Sequence, residues 1–535
     1  MMKIDSLSKY VPYIVVSLVL AIVLYVRIRL MTVPLERDEG EFAYMGQLLL
    51  KGIPPFTHAY TMKLPGVSVV YAFFMFLFGQ TPAGIHVGLI IVNGACIYLV
   101  YLLTKRLFDG NAALFSCASY AVLSLSCSVE GLFAHATHFV VLFALAGFLL
   151  LLRSNDKRQI VLLLISGLCF GMAITMKQHA VLLFIFAVLY LLWCVWKNPL
   201  FDKRARIAGS FLFLLGTIIP YALIAFWMVE AGSFANFWFW TVQYAYEYTS
   251  SQTLEFGWND FKDSFSDIAK SQLPLWFLAG FGGILLVTKK KCCDDKLFVF
   301  GFLVFSFLSI CPGLFFRGHY FILILPSVAI MIGAGISSCL FTFKSVMYTQ
   351  FIQTLLFITA ITYSLYHEKN IFYELSPVEV SRATYGANPF PESLQIANYI
   401  KNHSTSDEKI AVLGSEPEIL FYADRLSATG HIYMYGLMEN QPNAERMQMQ
   451  MIREIEAARP TYIVFVNVPS SWLVRTSSIK AIFNWGGLYI DNLYDPVGVI
   501  DIGTYSTRYI WDNEAVGYTP ISESIVKIFK RKSGV

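Results

Sequence analysis

Carboxylates and cations gather where the first apolar run ends. Residues 36–44 read Glu36-Arg37-Asp38-Glu39-Gly40-Glu41-Phe42-Ala43-Tyr44, followed by Lys51-Gly52-Ile53-Pro54-Pro55 and Lys63-Leu64-Pro65-Gly66. A carboxylate at a membrane surface that faces a lysine can take a proton from an acceptor hydroxyl while the cation holds a departing phosphate. Asp38 and Lys63 have the residue types for those two parts. A structural reading stands beside the chemical one. Asp38 followed three residues later by Glu41 is a capping box, opening a surface helix through Leu50 that ends at Gly52. Lys63 equally suits a lysine snorkelling to lipid headgroups from the mouth of an interfacial helix. Asp38 can be cap and reactive carboxylate at once.

Two further tight turns carry charge. Lys177 stands between two apolar runs in Met176-Lys177-Gln178-His179, and an ionisable residue there is a functional candidate or a boundary anchor. Phe315-Phe316-Arg317-Gly318-His319-Tyr320 offers an arginine suited to bidentate phosphate recognition, with His319 and Tyr320 able to hydrogen-bond a phosphate or sugar. The alternative is an interfacial aromatic belt with an anchoring arginine. Glu130, His135 and His138 border another turn. Their His-x-x-His spacing places both rings on one helix face, an arrangement that can bind metal, but no certain third ligand is visible, and a satisfied helical His pair is the alternative reading. The stretch Phe237–Tyr248 suits stacking on sugar, an acyl groove or an aromatic belt.

The elements that must position these residues are membrane spans. Of 535 residues, 56% are apolar, 16% aromatic and only 14% charged, against about 25% charged in soluble domains. This excludes a soluble enzyme, a disordered chain and a nucleic-acid binder, and a net charge of +4 implies no polyanionic partner. Runs long enough to span lie near 10–30, 81–104, 111–128, 132–152, 159–176, 178–196, 207–228, 271–288, 297–316, 319–343 and 346–366, about eleven in all. Gly66–Phe78 is apolar but short, and reads as an interfacial piece. With it on the surface, one face receives the basic loops: Lys3 and Lys9, Lys105 and Arg106, Arg153 to Arg158, Lys197 to Arg206, Lys289 to Lys296, and Lys344. Short basic loops are cytoplasmic. The N-terminus is then cytoplasmic, while residues 31–80 and everything after 366 are extracytoplasmic. The first run lacks a small-residue cleavage site and reads as a retained anchor.

After about residue 367 the composition turns polar. Lys409–Leu413, Gly430–Met434 and Tyr462–Val466 read as strands, Glu392–Asn402 and Ala444–Arg459 as amphipathic helices, and Gly498–Gly503, Arg508–Trp511 and Ile525–Phe529 as antiparallel strands. The fold class is thus a polytopic helical membrane domain, 1–366, with a soluble α/β domain, 367–535. The tail has no GxGxxG or Walker pattern, so it is assigned no chemistry. Nine cysteines all lie in or beside apolar runs, with no zinc spacing and no disulfide framework.

The order R-D-E-G-x-F-x-Y, K-G-x-P, K-x-P after a first span resembles membrane glycosyltransferases of the GT-C type, namely the dolichyl-phosphate-mannose protein mannosyltransferase-like family and the lipid A aminoarabinose transferases. The motifs that carry the resemblance are Arg37–Tyr44, Lys63–Gly66, Met176–Gln178 and Arg317–Pro326. It implies inverting transfer of one sugar from a polyprenyl-phosphate donor to a hydroxyl of a lipid, glycan or protein, outside a bacterial cytoplasmic membrane. It further implies Asp38 as base with Glu39 as its partner, and Lys63, Lys177 and Arg317 at the donor phosphate. Arg37, Tyr44, His319 and Tyr320 follow as substrate-binding. Met62 stands where aminoarabinose transferases carry an acidic residue that can bind metal, so no metal or other cofactor is expected. Two rival classes are a transporter or flippase of lipid-linked glycans and a non-catalytic lipid-glycan-binding assembly subunit. Against a transporter, no inverted repeat is evident, and the ionisable residues collect at one face instead of near the midplane.

Overall fold

The computed structural model describes residues 10–157, 159–197, 203–250, 252–288, 293–337, 346–503 and 506–534. Among residues used above, Lys3, Lys9, Arg158, Lys289, Lys290, Lys291, Lys344, Cys292 and Cys339 lie outside that set. The chain groups into two compact units: Met1–Met31, His86–Ala225 and Gln252–Leu375 form one, and Thr32–Ile85, Phe226–Ser251 and Ser376–Val535 the other. The grouping does not follow a single boundary near 366, because the loop at 32–85 and the segment at 226–251 gather with the tail.

A helix lies in each of the eleven apolar runs. Five are long and apolar enough to cross a membrane: Val11–Arg29, Pro82–Leu107, Ala136–Asn155, Gln178–Lys197 and Ile207–Glu230. Leu254–Ser271 and Leu273–Thr288 add a sixth if they form one broken span, bent by 99°. Gly110–Leu123, Val161–Met176 and Leu325–Ser337 are shorter apolar helices. The first and last of these pack face to face through small residues: a Cβ on Gly333 would fall 2.2 Å from the Ala112 carbonyl oxygen. Gly282 meets Gly335 the same way, seating Leu273–Thr288 on the other side of Leu325–Ser337. With no hydrophobic gain available in lipid, close backbone approach supplies the packing energy.

The second unit holds a six-stranded sheet in the order β2-β1-β3-β6-β4-β5. The strands are β1 Lys409–Leu413, β2 Leu426–Ser427, β3 Tyr462–Asn467, β4 Tyr494–Ile502, β5 Thr507–Trp511 and β6 Ile525–Arg531. β2, β1 and β3 are parallel, whereas β6 runs antiparallel to both β3 and β4. The apolar runs of β1 and β3 are buried almost throughout, as parallel strands covered on both faces must be. Gly430–Met434 is not the expected third strand. Its backbone is satisfied elsewhere: the Gly430 carbonyl accepts from Tyr60 N–H at 2.7 Å, and Met434 N–H donates to Ser415 Oγ at 2.8 Å.

Two helices of this unit position the first loop. Arg37–Leu50 packs on Gly66–Phe78 and on Pro417–Ala423 of the tail. Gly40 is what permits the second contact, since a Cβ there would lie 2.7 Å from the Glu418 backbone nitrogen.

Candidate active site

The helix that carries the acidic motif starts two residues earlier than the spacing suggests. Glu36 is the N-cap. Its carboxylate accepts from Glu39 N–H at 2.8 Å, and the Glu39 carboxylate accepts from Glu36 N–H at 3.3 Å. The capping box is therefore Glu36 with Glu39, not Asp38 with Glu41, and Glu39 is buried in it. Asp38 and Glu41, three apart, share a helix face. Both reach Lys63: its Nζ lies 2.8 Å from Asp38 Oδ1 and 2.6 Å from Glu41 Oε2. Nζ also sits 4.6 Å from the centre of the Phe42 ring and 5.5 Å from that of Tyr433. A fourth group completes the cluster, the Tyr433 hydroxyl, which donates to Asp38 Oδ1 at 3.2 Å.

The two carboxylates differ in environment. Asp38 is 15% exposed and Glu41 only 2%, so Asp38 is the one an incoming hydroxyl can meet. Burial pushes Glu41 above the usual carboxylate range; the Lys63 charge opposes this and the Asp38 charge adds to it. Burial also penalises the Lys63 ammonium, but Asp38 and Glu41 outweigh that and hold it firmly protonated, above its ordinary value.

Arg37 and Tyr44, expected at the substrate, are built into the tail contact. The Arg37 guanidinium donates to the Ser415 carbonyl (2.6 Å), Tyr435 hydroxyl (2.7 Å), Asn388 Oδ1 (2.9 Å) and Glu416 Oε1 (2.8 Å). The Tyr44 hydroxyl is buried and accepts from Ser427 N–H at 2.8 Å. The aromatic stretch at 237–248 also packs within this unit: Trp240 stacks on Tyr60, and the Tyr244 hydroxyl donates to Glu439.

The helical unit holds a second cluster. Glu130, in a left-handed turn with φ 54°, accepts on one carboxylate oxygen from His135 Nε2 (2.9 Å) and His319 Nδ1 (3.1 Å). The two imidazoles stack with centres 4.0 Å apart. Burial drives Glu130 up, but its contacts with His319 and His135 prevail and hold it below the usual carboxylate range. Lys177 Nζ lies 3.7 Å from the centre of the Tyr320 ring, and Tyr320 meets His319 and His179 edge-on at 4.8 and 5.0 Å. Lys177, His319 and Tyr320 are thus brought together. The turn at 317–320 is pressed onto the turn at 127–130, where a Cβ on Gly318 would fall 2.5 Å from the Ser128 carbonyl oxygen. Arg317, at the start of the former turn, has its guanidinium 5.6 Å from the centre of the Phe315 ring. The His-x-x-His pair does not share a helix face: His135 precedes helix Ala136–Lys157, and His138 is buried inside it. A carboxylate with two imidazoles is a donor set that suits zinc, but here both rings spend a nitrogen on Glu130.

Glu41, Tyr433 and Glu416 are the residues that spacing did not single out as functional. Glu41 had a signal, its three-residue offset from Asp38; Tyr433 and Glu416 lie far along the chain and had none.

Residues 58–224 match the family model described as dolichyl-phosphate-mannose-protein mannosyltransferase. No curated protein sequence matches the chain. Among solved structures, ArnT from Cupriavidus metallidurans bound to undecaprenyl phosphate is similar at 13% identity, with 96% of this chain and 97% of that one covered and a TM-score of 0.59. The Archaeoglobus fulgidus oligosaccharyltransferase in its apo form is similar at 12% identity, with 96% of this chain and 75% of that one covered and a TM-score of 0.56. The oligosaccharyltransferase AglB from Archaeoglobus fulgidus in complex with an inhibitory peptide and a dolichol-phosphate gives 12% identity, 94% and 74% coverage and a TM-score of 0.54.

Proposed function

The chain has the GT-C fold of the membrane glycosyltransferases, and from that premise we propose that it moves one sugar, with inversion, from a polyprenyl-phosphate carrier to a hydroxyl of a lipid, glycan or protein. In this reading all eleven helices cross the cytoplasmic membrane. The N-terminus is cytoplasmic, and the catalytic loop at 31–80 and the domain at 367–535 face the extracytoplasmic side. The observation that carries the reading is the Asp38–Lys63 pair, a partly exposed carboxylate on the helix after the first apolar run and a firmly charged lysine in the following loop, 2.8 Å apart.

The chemistry follows from those groups. Asp38 takes the acceptor's proton as its oxygen attacks the anomeric carbon. The bond from that carbon to the phosphate oxygen breaks, and the phosphate leaves with the electron pair. Phosphate is already a good leaving group, so cations need only stabilise the charge that develops on it. Lys63 is assigned to that phosphate. Lys63 spends two of its three N–H donors on Asp38 and Glu41, which leaves one for a phosphate oxygen. Two ionised carboxylates around one lysine would repel an anionic donor. Glu41, pushed up by burial, can take a proton and relieve that repulsion while Asp38 stays ionised. Undecaprenyl phosphate and dolichol-phosphate, bound by the ArnT and archaeal structures, are the carrier chemistry to try first.

Incubation of the purified protein with a panel of polyprenyl-phosphate sugars tests this, with mass spectrometry following donor loss and acceptor labelling. Wild type should consume at least one donor, and Asp38→Asn should bind that donor without turning it over. An intact panel, or full turnover by Asp38→Asn, refutes the proposal.

A further inference from the structure

We propose that Tyr433, from the carboxyl-terminal segment, is a positioning residue for Asp38, its hydroxyl fixing the carboxylate for proton transfer; this rests on the reading of Asp38 as the base. Tyr433 lies 395 positions after Asp38, yet its hydroxyl donates to the same Oδ1 that receives Lys63 Nζ. One carboxylate oxygen thus takes donors from two separate stretches of chain, which pins the plane of the group and its second oxygen with it. Preorganisation of this kind removes a rotation that would otherwise be frozen in the transition state.

The segment around Tyr433 is braced so that the hydroxyl arrives at a defined place. Gly430 accepts from Tyr60 N–H at 2.7 Å, and this close approach requires glycine, since a Cβ would fall 2.3 Å from the Tyr60 ring. His431 packs edge-on against Tyr60 with ring centres 5.2 Å apart. Two residues past Tyr433, the Tyr435 ring meets it edge-on at 4.7 Å, and the Tyr435 hydroxyl is held between Arg37 and the Ser470 carbonyl. Because Tyr60 stands three residues before Lys63, the same tether sets both donors to Asp38 Oδ1. Ile432, Met434 and Tyr435 are buried, whereas Tyr433 between them is half-buried. Packing alone does not call for its hydroxyl.

Within its own unit, Asp38 is met by the charged or titratable groups Lys63 and Tyr433, with Glu41 on the far side of the same lysine. A donor to the ionised form of a carboxylate lowers its pKa, so loss of the hydroxyl should raise that of Asp38. Tyr433→Phe keeps the ring and removes the donor. In the full-length enzyme it should move the acidic limb of the kcat/KM profile up by about one pH unit, the equivalent of one ordinary hydrogen bond. It should lower kcat roughly tenfold with the donor KM little changed. An unmoved limb with kcat intact overturns the proposal, since a purely structural residue would leave the limb in place. If wild type consumes no donor, the transferase reading fails by itself. The tyrosine is then judged by thermal unfolding of Tyr433→Phe, Asp38→Asn and the double variant. Non-additive midpoint shifts uphold its hold on Asp38, and additive shifts overturn it.

Discussion

Replacing Gly40 by alanine puts a methyl group where two helices already touch. The new Cβ would lie 2.7 Å from both the Glu418 Cβ and the Glu418 backbone nitrogen, and 2.9 Å from its Cα. Ordinary contact is 3.4–4 Å. Two of the three obstructing atoms are backbone and the third, Cβ, is fixed to it, so helices Arg37–Leu50 and Pro417–Ala423 must part by about 1 Å. That movement stretches the contacts between them, notably the 2.8 Å Arg37–Glu416 pair and the 3.3 Å bond from Gln47 Nε2 to the Phe421 carbonyl. Overpacking of this kind costs about 1–3 kcal/mol, and the lost hydrogen bonding adds about 1 kcal/mol. Alanine's better helix propensity returns at most about 1 kcal/mol. The net expectation is a loss of about 2 kcal/mol, with donor turnover falling because Asp38 is two residues from the wedge. Gly94→Ala supplies the contrast. It is also a mid-helix glycine, but nothing lies within 4 Å of its would-be Cβ, so propensity alone should act and raise stability slightly. The assay is thermal unfolding of both full-length variants in one detergent at one scan rate, beside wild type. A Gly40→Ala protein that melts at or above wild type would refute the reasoning.

Two more outcomes are expected. Arg37→Met strands Glu416, whose side chain is 0% exposed, with Ser471 as its remaining partner within this pair's surroundings; the cost should be about 3–5 kcal/mol, read as loss of folded protein, and Arg37→Met with Glu416→Gln should recover part of it. His431 is buried between Tyr60 and Trp240, and burial, partly opposed by Glu454, drives its pKa from 6.5 down to about 4. The unfolded state then binds more protons between those values, so this contribution to stability is full above pH 6.5 and falls by up to roughly 3 kcal/mol as pH drops to 4. His431→Phe cannot titrate and should flatten that part of the unfolding-midpoint profile; an equally steep profile in the variant would assign the slope to other groups.

Much of the architecture is written in short-range pattern. The eleven apolar runs, the helix opening the acidic motif, β1, β3 and the antiparallel strands at the end of the chain each follow from composition and period within a few residues. Local pattern misleads where it has a competitor. Asp38-x-x-Glu41 has the residue types of a capping box, but a glutamate two residues earlier took the cap. Gly430–Met434 has strand composition, but Tyr60 and Ser415 satisfy its backbone. The site divides the same way. Asp38 and Lys63 were legible because they belong to one loop, 25 residues apart, and acidic and basic types near a membrane have few uses.

Which of those charges faces which partner was decided only by folding. Tyr433 and Glu416 sit 395 and 379 residues from Asp38 and Arg37, and nothing in the intervening sequence marks the pairings. The chain by itself determined a set of membrane-length helices, a sheet-forming tail and an acidic loop with its lysine, because hydrophobic period and residue type act over a few positions. Tertiary structure decided that the motif arginine anchors the tail and that the tail returns a hydroxyl to the aspartate. Those contacts depend on close helix approach at Gly40 and Gly430, a property of two distant surfaces meeting and not of either stretch alone.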